Sequence, residues 1–185
     1  MDFILLSLQK LSAFLSNPET LRIFVSNRFL MILLVILLIK AKYTTYSNIY
    51  LSALVNIPGT LLHEMAHFIV GFFLNAYPTR FDLWPKKRDG VYVMGSVGFR
   101  NMQFYNALPS ALAPLLLLVV GYYFNRWYFK NVDISYLNYI FYVFLQTVII
   151  ENAVPSSQDF KVAFSYPLGL LMYGAIFVFA VIYLL

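Results

Sequence analysis

His63, Glu64 and His67 stand in the run LLHEMAHFIVGFF, residues 61–73, which is otherwise apolar. They include both histidines of the chain. On a helix, residues four apart share one face, one turn apart. Two imidazole nitrogens at that spacing can take adjacent corners of a zinc tetrahedron. Glu64, one residue on from His63, can flank the metal without ligating it and accept a proton from water as general base. A hydrogen-bonded histidine pair with a purely structural role is the bland alternative. The apolar setting favours the metal, because ionisable groups in such a segment are costly and ordinarily face a partner or a water-filled cavity.

A catalytic zinc site takes a third protein ligand and keeps one position open. Away from the termini and outer loops, the remaining carboxylates are Asp82, Asp89, Glu151 and Asp159. The stretch ENAVPSSQDFK, residues 151–161, interrupts a helical pattern. Its Pro155, Ser156 and Ser157 favour unwound backbone, which is expected where it lines a cavity. Asp159 is the choice for third ligand, and Glu151 is the runner-up.

The elements that must position these groups follow from composition. Of 185 residues, 61% are hydrophobic and 11% charged, and the mean hydropathy is +0.73. Soluble domains carry about a quarter charged residues. The expected fold is therefore an all-α polytopic membrane protein with about five transmembrane helices, at residues 21–39, 50–74, 108–124, 134–150 and 163–185. Pro58-Gly59 is expected to loosen the second. Residues 1–16 carry Asp2 and lack a basic start, so no cleavable leader is expected. Ile4, Leu8, Leu11 and Leu15 share a helical face and suggest an interfacial helix, or a peripheral core helix.

Between the second and third spans, residues 80–84 and 91–99 flank the turn-rich PKKRDG. Asp89-Gly90 is a favoured hairpin turn, which predicts a membrane-associated β-hairpin over 79–100. The division expected is 1–45, an N-terminal helix and first span; 46–166, a catalytic core; and 167–185, a last span. Lysine and arginine split nine to four in favour of a cytoplasmic hairpin, by the positive-inside rule. The expected location is an integral, multi-pass bacterial inner membrane protein with its site open to the cytoplasm. The net charge of +5 is read as orientation and lipid attraction, with no nucleic-acid partner. The chain has no cysteine, which excludes disulfides and thiolate ligands.

HEMAH in one span, followed two spans later by Asn152-Ala-Val-Pro155 and then Asp159, resembles the site-2 protease (M50, M50B-like) family of intramembrane zinc metalloproteases. The resemblance covers roughly residues 50–165. It implies one zinc ion held by His63, His67 and Asp159, with Glu64 as general base. It also implies that Asn152 helps hold substrate. In that family a hairpin after the HExxH helix presents an extended substrate strand, which would fall to residues 91–99, with Val91, Val93, Gly95 and Val97 as substrate-binding positions. The chain departs from the family where Phe160 follows Asp159 in place of glycine, and in a Pro-to-Asp spacing one residue shorter than the commonest pattern.

The expected function is hydrolysis of a peptide bond within or near a transmembrane segment of a membrane-embedded protein substrate. The alternative is a non-proteolytic metal-binding membrane scaffold or pseudoprotease, against which the intact Glu64 argues. A proton or metal relay would spread its ionisable groups along a path, whereas these cluster at one depth.

Overall fold

The computed structural model describes residues 2–88 and 90–184. In chain order its helices are α1 (Asp2–Leu15), α2 (Pro18–Ser26), α3 (Arg28–Thr44), α4 (Ile49–Phe73), α5 (Ala107–Ala111), α6 (Leu116–Asn131), α7 (Tyr136–Glu151), α8 (Ser157–Phe164) and α9 (Pro167–Leu184). The strands are β1 (Pro78–Asp82), β2 (Lys86–Arg88), β3 (Val91–Val93) and β4 (Ser96–Phe99). Two compact units emerge. One is Met1–Thr44 with Phe124–Thr147, and the other is Thr45–Tyr123 with Val148–Leu185.

The expectation of about five transmembrane helices, and with it the multi-pass location, does not hold. Among the described residues one helical stretch, Arg28–Ser47, is long and apolar enough to cross a membrane. A second qualifies only if α8 and α9, bent by 90° at their junction, are taken as one span. The physical reasons are local. Asn27 caps a new helix, its Oδ1 accepting from the Phe29 and Leu30 amides, so residues 21–39 are split between α2 and α3. Residues 108–124 break into α5, a 3-10 turn at Ala113–Leu115 and α6, where Pro114 cannot donate to a continuing helix. Helix α7 has 16 residues, about 24 Å of rise against a hydrocarbon core of about 30 Å. Helix α4 has the length, at 25 residues, but Asn56, His63, Glu64 and His67 lower its hydropathy. Without several spans, the nine-to-four partition of basic residues no longer fixes an orientation or a compartment.

The first unit is organised by aromatic rings. Tyr128, Tyr139, Tyr142 and Val143 form its buried cluster, with Phe24, Leu34, Leu38 and Phe124 packed around them. Buried tyrosines need partners for their hydroxyls. Tyr128 donates to the Asn138 carbonyl at 2.8 Å, and Tyr142 to Asn125 Oδ1 at 2.7 Å. Ile4, Leu8, Leu11 and Leu15 lie on α1 and are all exposed.

The second unit carries the candidate site. Asn48 begins α4 by accepting from the Tyr50 and Leu51 amides. The helix runs through Pro58 without interruption. At its far end Asn75 and Tyr77 adopt positive φ, 62° and 50°, which turns the chain from α4 into β1. The expected hairpin forms as two successive antiparallel ladders. Strand β1 pairs with β4, Phe81 opposite Val97, and β2 pairs with β3, Lys87 opposite Tyr92. Pro85 on one side and Met94-Gly95 on the other separate them. Asp89 of the expected turn lies outside the described residues, while Gly90 has φ 83°, a conformation that favours glycine.

Asn106 locks the hairpin base to α4 and α5. It is fully buried. Its Oδ1 accepts from the Gln103 amide, and its Nδ2 donates to the Leu74 and Asn101 carbonyls. Replacing Asn106 with Ala would remove the side-chain partner of three partly buried backbone groups. A loss of about 2 kcal/mol or more is expected, read as a lower denaturation midpoint.

Candidate metal centre

His63 and His67 project from one face of α4, with Nε2 atoms 3.2 Å apart. Asp159 arrives from the other end of the unit, in the first turn of α8. Its Oδ2 is 3.4 Å from His63 Nε2 and its Oδ1 is 3.3 Å from His67 Nε2. One potential ligand atom from each residue falls within 4.8 Å of the others, so the group could hold a metal ion.

The opposite ring nitrogens are also engaged. His63 Nδ1 is 2.9 Å from the Asn152 carbonyl and His67 Nδ1 is 2.7 Å from the Ser110 carbonyl. A carbonyl only accepts, so each Nδ1 carries the hydrogen. In the neutral rings both Nε2 lone pairs therefore point toward the carboxylate and toward each other. Three electron-rich groups at this spacing repel, and a cation among them removes the conflict. Burial works against a charged His63, but the Asp159 carboxylate and Asn152 carbonyl outweigh it and hold its pKa above the usual histidine value. Burial also opposes ionisation of Asp159, yet the two imidazoles, once protonated on Nε2 and donating to it, hold it well below the usual carboxylate range.

Local sequence explains how Asp159 gets there. Helix α7 ends at Glu151, the chain turns through 152–155, and Ser156 caps α8. Ser156 Oγ accepts from the Asp159 amide at 3.2 Å, and Asp159 Oδ2 accepts from the Ser156 amide at 2.6 Å. This reciprocal capping box aims the carboxylate. The expected unwound backbone is thus confined to five residues, 152–156, and Asp159 itself is helical. Ser156→Ala is expected to weaken metal binding about tenfold, as loss of a partner behind a ligand does, measured by competition against a chelator.

Glu64 is buried, 7% exposed. Burial raises its pKa, partly offset by His67, His63 and the Val97 amide, which donates to its carboxylate. The centre opens into a cleft of about 930 Å³, lined on one side by Val93, Met94, Gly95 and Val97 and on the other by Asn152, Val154 and Val162. Glu151 lines the cleft but is outside the three-residue group. The Asn152 side chain donates to the Val148 carbonyl and wedges against Gly59, where an added Cβ would sit 2.1 Å from its Nδ2. Its backbone carbonyl is what reaches the centre.

Residues 91–99 do not form one strand. Val91 and Val93 lie in β3, Gly95 in the break, and Val97 in β4. The Val91 side chain lies outside the described residues. At the end of β1, Asp82 accepts from Lys86 Nζ at 2.6 Å and pairs with Arg80 at 2.7 Å. The lysine holds the Asp82 carboxyl below its usual range, with Arg80 adding to the effect. Asp82 is therefore committed within the hairpin.

Reading residue types alone missed Ser110 and Ser156. Ser110 acts through its main-chain carbonyl, for which no residue type is a signal. Ser156 had one, the Ser-x-x-Asp spacing of a capping box. No protein-family model matches the chain, and no curated protein or solved structure is significantly similar to it.

Proposed function

We propose that the chain is a zinc metalloendopeptidase that hydrolyses a peptide bond within or near a transmembrane segment of a substrate protein. The observation that carries this reading is the convergence of His63 Nε2, His67 Nε2 and the Asp159 carboxylate at 3.2–3.4 Å. A tetrahedral ion with bonds of about 2.0–2.1 Å keeps its ligand atoms about 3.3 Å apart. The donor set, two neutral imidazoles and one carboxylate, also suits zinc.

Zinc held there would supply Lewis acidity toward water and toward the scissile carbonyl. Glu64, beside His63 on α4, takes the proton from the attacking water and delivers it to the leaving amine. Its raised pKa suits both halves of that transfer. The Asn152 and Ser110 carbonyls keep the imidazoles in one tautomer and orientation. Over the cleft as a whole apolar surface predominates, which suits an apolar segment. A segment in the cleft would run past Val93 and Met94 of the hairpin. The resemblance to site-2 proteases points the same way.

The test is metal removal and return. Purified protein in lipid vesicles, with a reporter carrying one transmembrane segment, is expected to cleave it. A chelator should stop cleavage, and stoichiometric zinc should restore it. Bound zinc without cleavage of any reporter would favour the scaffold alternative.

A further inference from the structure

Gly95 and Val97 were expected to touch substrate. Both line the cleft, and both also reach Glu64. A Cβ added at position 95 would sit 2.8 Å from Glu64 Oε1 and 2.4 Å from Thr60 Cγ2. Two residues on, the Val97 amide donates to the same carboxylate. Strand β4 uses its other edge for β1, so this amide belongs to the edge facing α4.

We propose that the hairpin is the positioning element of the general base: Gly95 leaves the space that the Glu64 carboxylate occupies, and the Val97 amide holds the carboxylate in it. The inference rests on Glu64 acting as base. Gly95 and Val97 are positioning residues that act through Glu64. A methyl group added at position 95 meets Thr60 Cγ2 and two Glu64 atoms, Oε1 at 2.8 Å and Cγ at 3.0 Å, and the Glu64 side chain is the flexible one and yields first. The Thr60 methyl is fixed on a branched carbon against its own helix. Substitution at 95 thus displaces the reacting carboxylate while the metal ligands stay in place.

Two measurements test this. In Gly95→Ala, metal content and KM should match wild type while kcat falls about 100-fold, the size expected for a misplacement of about 1 Å. Adding Thr60→Ser, which removes the crowding methyl, should not restore kcat. A raised KM at unchanged kcat would make Gly95 a substrate-wall residue and overturn the proposal, as would full rescue by Thr60→Ser. The second measurement needs no turnover. Hydrogen exchange at the Val97 amide should be at least about tenfold faster in Glu64→Ala and should stay protected in Glu64→Gln. Unchanged exchange in Glu64→Ala overturns the proposal, including where Gly95→Ala does not fold. An inactive wild type with Val97 protection intact would count against the peptidase reading and leave the contact standing.

Discussion

Glu64→Gln is expected to bind metal as wild type does and to lose cleavage of the membrane reporter. Glutamine keeps the size of the side chain and an acceptor for the Val97 amide, so the hairpin contact survives. It cannot take a proton from water. General acid–base catalysis contributes about 10²- to 10⁴-fold, and Glu64 serves both proton transfers, so the fall in kcat should reach or pass the upper figure. Neither metal ligand set nor fold changes in this variant. Metal analysis and turnover on one preparation settle it, and retained turnover would remove Glu64 from the mechanism.

The second large effect is loss of metal in Asp159→Ala, with Glu151→Ala retaining it. Asp159 is the carboxylate within 3.4 Å of both imidazoles, whereas Glu151 closes α7 and only lines the cleft. Loss of a group that merely supports a ligand costs about 10- to 100-fold in affinity, and removal of the ligand itself costs more. Zinc content after gel filtration should fall from about one per chain to near zero in Asp159→Ala. Loss in Glu151→Ala alone would reverse the assignment.

The centre was legible because its information is carried by side-chain type and short spacing. His63, Glu64 and His67 fall within one turn of an uninterrupted helix, so their mutual geometry follows from helical pitch. Asp159 was reachable by elimination among few carboxylates, and its capping serine lay in plain view. The hairpin could be read from its turn chemistry, though its division into two ladders depends on Pro85 and on the crowding of Gly95 against α4. The transmembrane count failed for a different reason. Apolar windows count residue types, and they do not register the cap at Asn27, the break at Pro114 or the 90° bend between α8 and α9. The two carbonyls behind the imidazoles were invisible, since every residue has one.

The capping box that aims Asp159 has a topological consequence. His63 and the Asn152 carbonyl behind it are 89 residues apart, and Asp159 lies further along. A metal joined to all three side chains would close a long loop in a chain that has no cysteine with which to close it otherwise. A covalent link across about 100 residues removes roughly 4.7 kcal/mol of unfolded-chain entropy, and coordination acts in the same sense while it lasts. The ion would thus be a reversible staple as well as a reagent. Chelation should do more than stop turnover: it should unfasten residues 152–156 and expose them to proteolytic nicking.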